Sequence, residues 1–361
     1  MIKALPDLPW DLLAPYKLQA RQHPDGIVDL SVGTPVDPTP EVVRWALAEA
    51  ADAPGYPATY GTPALRDAAA DWLVRRLGVE ADPAAILPVI GTKELVAWLP
   101  VLLGAAPGDI VAFPALAYPT YDVGARLAGA TPRAVDGLLA LGPAVPKIIW
   151  LNSPSNPTGQ VLPAEHLRKV VEWARSRGVI LVSDECYAEL GWDAEPVSVL
   201  RPDVCGGTHD GLLALHSLSK RSNLAGYRAG FVTGDPLLIK ELLEVRKHAG
   251  MIMPAPVQAA MTVALGDDEH VEEQRGRYAR RRAALRTALE ADGFRIDHSE
   301  AGLYLWASRD EPCWDTVKTL AERGILVAPG EFYGAQGARH VRVALTATDE
   351  RVAAAVARLH T

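Results

Sequence analysis

The stretch that most constrains the fold is Gly178-Val-Ile-Leu-Val-Ser-Asp184, a continuous apolar run that ends in a carboxylate. A strand with one face in water alternates apolar and polar residues. A run that is apolar throughout is buried on both faces, as in a parallel sheet covered by helices. Similar runs occur at 86–90, 109–113, 147–151, 211–216 and 229–233. Helical patterns at 95–103 and 163–177 lie between them, with others before and after at 41–51 and 236–250, and Thr62-Pro63 starts another with a cap and an N1 proline. Strands that alternate with helices specify an α/β unit whose ligands bind beyond the carboxyl ends of its strands. Asp184 stands at such an end, where a buried carboxylate is costly without a cationic partner.

The pattern changes after a long Arg-rich helix at about 268–292. Short strands at 294–298, 303–306, 325–327 and 340–345 then alternate with helices, which reads as a smaller α+β unit. The expected division is an N-terminal arm over 1–35, a large domain over 36–250 and a small C-terminal domain over 251–361. The arm, with its Leu5-Pro-Asp-Leu-Pro-Trp10 run, is expected to pack on the small domain or on a partner subunit, since a bare Trp10 is costly. The chain has 361 residues, 49% hydrophobic and 22% charged, a globular composition. A net charge of −8 argues against nucleic acid and anionic membranes as partners. No apolar run is long enough for a membrane span, and no signal peptide is evident in Met1-Ile-Lys-Ala-Leu-Pro-Asp7. Cys186, Cys205 and Cys313 are scattered, which gives no metal framework and fits a reduced, cytoplasmic protein.

The chemistry concentrates after the run at 211–216, in Ser217-Leu-Ser-Lys220-Arg-Ser-Asn-Leu-Ala-Gly226-Tyr-Arg228-Ala-Gly230. A lysine at the mouth of a sheet can be tuned to attack carbonyls. Ser217 and Ser219 offer hydroxyls, and Arg228 offers a fork that fits a phosphate. An amine among phosphate-binding groups meets the needs of pyridoxal phosphate, although Lys-Arg pairs are more often solvated surface. Gly91-Thr92-Lys93 follows a strand and opens a helix, an arrangement that binds anions or is a plain turn. Gly33 allows close approach of a ligand or serves a turn before Pro35. Tyr118 stacks on a ring or fills the core, and Asn156 in Asn156-Pro-Thr-Gly159 contacts a ligand or only makes the turn. Glu185 reads as a solvated loop acid or a helix cap.

Taken in order, Gly91-Thr92, Asn156-Pro-Thr-Gly159, Asp184-Glu-Cys-Tyr187 and Ser217-Leu-Ser-Lys220 resemble the motifs of the class I/II aminotransferases among the fold-type I pyridoxal-phosphate enzymes. The resemblance covers most of the chain, from Gly33 to Arg342. It implies an α/β large domain with a mostly parallel, seven-stranded type of sheet, and a smaller α+β domain that closes on substrate. It implies Lys220, Asp184 and Tyr187 as catalytic groups. Lys220 would be the Schiff-base lysine and would move the proton at the substrate α-carbon. Asp184 would pair with the pyridinium nitrogen, and Asn156 and Tyr187 would bond the ring's phenolic oxygen. Tyr118 would stack on the ring. Thr92, Lys93, Ser217, Ser219 and Arg228 would hold the phosphate. Tyr56, or its rival Tyr60, would reach the phosphate of the neighbouring subunit, which implies a homodimer with shared active sites. Arg342 and Gly33, with Asn156, would bind the substrate carboxylate. No metal is implied.

The N-terminal arm and the compact length resemble the actinobacterial type of succinyldiaminopimelate aminotransferase. That implies ping-pong exchange between glutamate, which becomes 2-oxoglutarate, and N-succinyl-2-amino-6-ketopimelate, in lysine and diaminopimelate biosynthesis. Lys17, Arg21 and Arg221 are candidates for reading the distal succinyl carboxylate. The same motifs would serve another amino-acid aminotransferase or a C–S β-lyase. A pyridoxal-phosphate-binding regulator is disfavoured by charge and by core motifs that begin at Gly33. In a plain binding protein Lys220 would be incidental.

Overall fold

The computed structural model describes residues 5–6 and 9–360. The expectations about the first four residues, and about Asp7 and Leu8, lie outside the described residues. In chain order the strands are β1 (Val28–Asp29), β2 (Ile86–Ile90), β3 (Ile110–Pro114), β4 (Thr131–Val135), β5 (Ile148–Asn152), β6 (Ile180–Asp184), β7 (Leu212–Ser217) and β8 (Ala229–Gly234). Then come β9 (Arg295–Asp297), β10 (Tyr304–Ser308), β11 (Ile325–Leu326), β12 (Ala328–Pro329) and β13 (Val341–Ala344). Seven strands form one sheet in the order β2-β8-β7-β6-β5-β3-β4. The pairs from β7 through β4 are parallel, and β8 runs antiparallel to both its neighbours. The continuous apolar runs are buried for the reason their composition gave: β5 and β7 are buried at every position.

Two elements of this region are poorly marked in the sequence. Strand β4, Thr131-Pro-Arg-Ala-Val135, is polar and carries a proline, which is tolerated because β4 is at the edge and pairs only with β3. The helix Ala255–Gly266 begins within Met253-Pro-Ala-Pro-Val257, a stretch that reads as a break. Pro256 instead sits in the first helical turn, where its missing N–H costs nothing. Val257, Ala260, Met261, Ala264 and Leu265 of this helix pack in the core of the large sheet. The expected division at 250/251 therefore precedes a helix that packs with the large sheet.

The second body is an antiparallel sheet in the order β12-β13-β10-β9. A separate parallel pair joins β1 to β11. Leu13, Val28 and Leu30 share a core with Trp306, Val317 and Val343, so the segment before Gly33 packs with the C-terminal residues of its own chain. Trp10 lies against Phe332, with ring centroids 5.3 Å apart. Ala117 donates its N–H to the Tyr333 carbonyl at 2.8 Å, one of the contacts that join the two bodies.

Candidate active site

The carboxyl ends of β5 and β6 set Asn152 beside Asp184, while β7 places Leu215 beside Asp184 and runs two residues further to Ser217. Asp184 is buried and accepts from the Tyr121 hydroxyl at 2.8 Å and from the Cys186 amide at 3.2 Å. Burial pushes its carboxyl above the usual range, against the lowering effect of those hydrogen bonds. No cation pairs with it among the described residues, so the carboxylate is suited to a cationic ring nitrogen placed there. The Asn152 amide donates to the Asp184 carbonyl at 2.9 Å, and its oxygen accepts from the Asn156 N–H at 2.7 Å. The turn after β5 is thereby tied to the end of β6.

The phosphate-binding candidates meet on the other side of β7. Ser217 pairs with Gly230 across β7 and β8. A Cβ on Gly230 would lie 3.5 Å from the Thr92 amide nitrogen, at the start of the helix Thr92–Leu102. No side chain caps that helix, so its first amides are free to hold an anion. Gly91 has φ +75°, and a Cβ there would come within 2.3 Å of the Arg228 guanidinium. Arg228 therefore covers the helix start, and only glycine leaves room for it. The Ser217 hydroxyl accepts from the Ser219 amide at 3.2 Å. Free amides, hydroxyls and a guanidinium at one helix start fit a phosphate.

Lys220 lies in the short helix Leu218–Arg221 after β7 and donates to the Gly33 carbonyl. Burial above all, with the Arg342 and Arg228 charges acting the same way, pushes its ammonium below the usual value. A shift in that direction favours the neutral amine, the form that acts as a nucleophile and a base. Arg342, on β13, is buried between aromatic faces, 3.8 Å from the Tyr304 ring centroid and 4.8 Å from that of Tyr333. Its Nη1 donates to Asn156 Oδ1 at 2.9 Å and its Nη2 to the Ser31 carbonyl at 2.8 Å, while Nε has no partner. The rings cover the guanidinium faces and leave its edge for a planar carboxylate. Tyr187 is buried, with its hydroxyl 3.2 Å from that of Tyr304. Tyr118 is half-buried and edge-on to Tyr121 at 6.0 Å.

Other candidates fall elsewhere. The Lys93 side chain is exposed, which leaves its amide as the part at the helix start. Tyr56 is fully exposed, whereas Tyr60 is 43% exposed with the Arg66 guanidinium over its ring. Lys17 pairs with Asp29 at 3.0 Å, and Arg21 is exposed. Arg221 is buried, pairs with the buried Glu189 and donates to the Ala264 carbonyl at 2.9 Å, which commits its charge and corrects its candidacy for a distal carboxylate. Glu185 is not a solvated acid. It is buried beside His216, accepts from the Val199 amide at 2.8 Å, and has its carboxyl pushed up to about 7 by burial. Tyr121 and Tyr304 went unnoticed in the sequence. Tyr118-Pro-Thr-Tyr121 offered two tyrosines after one strand, and nothing local says which reaches Asp184.

Residues 25–359 match the family of aminotransferases of class I and II. The chain belongs to that family. It is 66% identical to the 4-dedimethylamino-4-oxo-anhydrotetracycline transaminase of Streptomyces rimosus, over 99% of this chain and 100% of that protein. It is also 66% identical to a probable aminotransferase of Mycobacterium tuberculosis, over 99% and 85% of the two chains. Among solved structures, a probable N-succinyldiaminopimelate aminotransferase from Thermus thermophilus superposes with a TM-score of 0.88 at 31% identity, covering 98% of this chain and 99% of that one. The cofactor of this aminotransferase is pyridoxal 5′-phosphate, and its substrates are amino and 2-oxo acids.

Proposed function

We propose that this aminotransferase exchanges the amino group of glutamate for the keto group of N-succinyl-2-amino-6-ketopimelate. The observation that carries the reading is the open edge of Arg342 between Tyr304 and Tyr333, which suits the planar carboxylate of an amino or 2-oxo acid. The acceptor has such a carboxylate beside its keto group, and glutamate has one beside its amino group. LL-diaminopimelate aminotransferases, 34% identical in the case of Aquifex aeolicus, are named for a related diamino diacid.

Bound pyridoxal phosphate supplies an electron-accepting ring that stabilises negative charge at the substrate α-carbon. Asp184 holds the pyridine nitrogen protonated. Asn156 gives its oxygen to Arg342, which leaves its NH2 to donate to the ring's phenolic oxygen together with Tyr187. Thr92, Lys93, Ser217, Ser219 and Arg228 would anchor the phosphate, and Tyr118 would lie against the ring. Lys220, once its amine is free, moves the proton at the α-carbon. Gly33 and Arg342 fix the carboxylate. Tyr56 would extend to the phosphate of a second subunit in a homodimer. The chain divides into an arm, a large domain and a small domain, with the arm closing on the C-terminal body.

The test is an acceptor panel. The enzyme is first converted to its amino form with glutamate, and each acceptor is then scored by how fast it restores the original spectrum. The succinylated ketopimelate should restore it fastest, well ahead of simple 2-oxo acids. A tetracyclic ketone is the second reading, favoured by the relative from Streptomyces rimosus. If that ketone is the faster acceptor, the pimelate assignment fails.

A further inference from the structure

Tyr304 lies at the centre of the site, yet no role above uses its hydroxyl. It is buried on β10, opposite Ala344 of β13. Its oxygen would stand 2.1 Å from a Cβ on Gly33, so its seat depends on glycine at 33. Gly33 is also the residue whose carbonyl accepts from Lys220. The partner of the Tyr304 hydroxyl is the Tyr187 hydroxyl, at 3.2 Å.

A phenol has one proton to donate. If Tyr187 donates to Tyr304, it has none left for the ring oxygen. If Tyr304 donates to Tyr187, the Tyr187 proton is free to point at the ring. The surroundings select the second arrangement. The Arg342 guanidinium lies 3.8 Å from the Tyr304 ring centroid and makes that phenol the more acidic of the two. Burial pushes both phenols up, but the Arg342 and Lys220 charges bring Tyr304 below its ordinary value, while Tyr187 stays well above.

We propose that Tyr304 is a positioning residue: its hydroxyl donates to the Tyr187 oxygen and thereby aims the Tyr187 proton at the phenolic oxygen of pyridoxal phosphate. The inference rests on the role proposed above for Tyr187. A hydrogen bond received by Tyr187 also strengthens the one it gives.

The experiment is a pH titration of the visible band of the lysine–cofactor adduct in the holoenzyme, for wild type, Tyr304→Phe, Tyr187→Phe and the double variant. Phenylalanine keeps the ring over Arg342, so the KM for glutamate should stay within about two-fold. Tyr304→Phe should raise the band's apparent pKa by about half a unit, the scale of one weakened hydrogen bond. Tyr187→Phe should raise it further, and the double variant should match Tyr187→Phe. A wild-type titration for Tyr304→Phe, with Tyr187→Phe shifted, overturns the inference and leaves the Tyr187 role intact. No shift in either overturns both. Additive shifts, or a large rise in KM, would mean that Tyr304 acts by another route. If Tyr304→Phe does not take up cofactor, 3-fluorotyrosine at position 304 replaces it. That more acidic donor should lower the band's pKa, and an unchanged pKa overturns the inference.

Discussion

Arg342 shows how a buried charge is held ready for another. Two of its nitrogens are engaged by Asn156 and Ser31, and two aromatic rings fix its plane, so little ordering remains when a carboxylate arrives. Arg342→Ala should weaken both substrates by about 2–5 kcal/mol, read as KM and kcat/KM for each half-reaction. An effect on one substrate alone would assign the arginine to a side chain instead. Glu185 makes a pH prediction. Its carboxyl is raised from 4.5 to about 7, so its contribution to stability is complete below pH 4.5 and is lost as pH rises through 7. His216, buried 3.8 Å away and lowered from 6.5 to about 3, contributes with the opposite slope between those values. The two offset each other across roughly pH 4.5–6.5. Glu185→Gln removes one slope. Relative to wild type, the variant should gain on the order of 3 kcal/mol between pH 4.5 and 7 in denaturant melts. A constant difference across that range would show that Glu185 is ionised in the folded protein. Neither group announces its burial in the sequence, because an acid after a strand is as often solvated and the residues that cover it, such as Trp72 over His216, come from distant elements.

At the scale of elements, the parallel strands were legible because runs apolar throughout have few other places to go. Ser217, Lys220 and Arg228 were legible because they lie within one short stretch. What was not legible depends on tertiary pairing. Strand β4 needed its partner β3, the helix Ala255–Gly266 was hidden by two prolines, and Tyr304 acquires its meaning only when β10 sets it against Gly33 and Arg342. The start of the helix Thr92–Leu102 carries a steric requirement that bears directly on the phosphate. Gly91→Ala would place a methyl against the Arg228 guanidinium at a positive φ. The variant should fold and yet bind pyridoxal phosphate more weakly by at least about tenfold in a fluorescence titration, the scale of one charge-assisted contact. Unchanged affinity would mean that the phosphate does not use this helix start.

At the scale of the molecule, the seven-stranded sheet, the C-terminal sheet and the segment before Gly33 meet around Lys220 and Arg342. No helix among the described residues is long and apolar enough to cross a membrane. The proposal that Tyr56 completes the site of a second subunit is tested by mixing variants. Subunits carrying Lys220→Ala, mixed with subunits carrying Tyr56→Phe, should regain activity above either parent, because one site in each mixed dimer is then intact. No gain on mixing would place Tyr56 in its own chain's site or outside the reaction. The most direct test of the whole account is the visible spectrum of the purified holoenzyme before and after glutamate, with Lys220→Ala beside it. The account predicts a yellow band that needs Lys220, bleaches with glutamate and returns on adding a 2-oxo acid. A band that survives Lys220→Ala, or one that glutamate leaves unmoved, would contradict it.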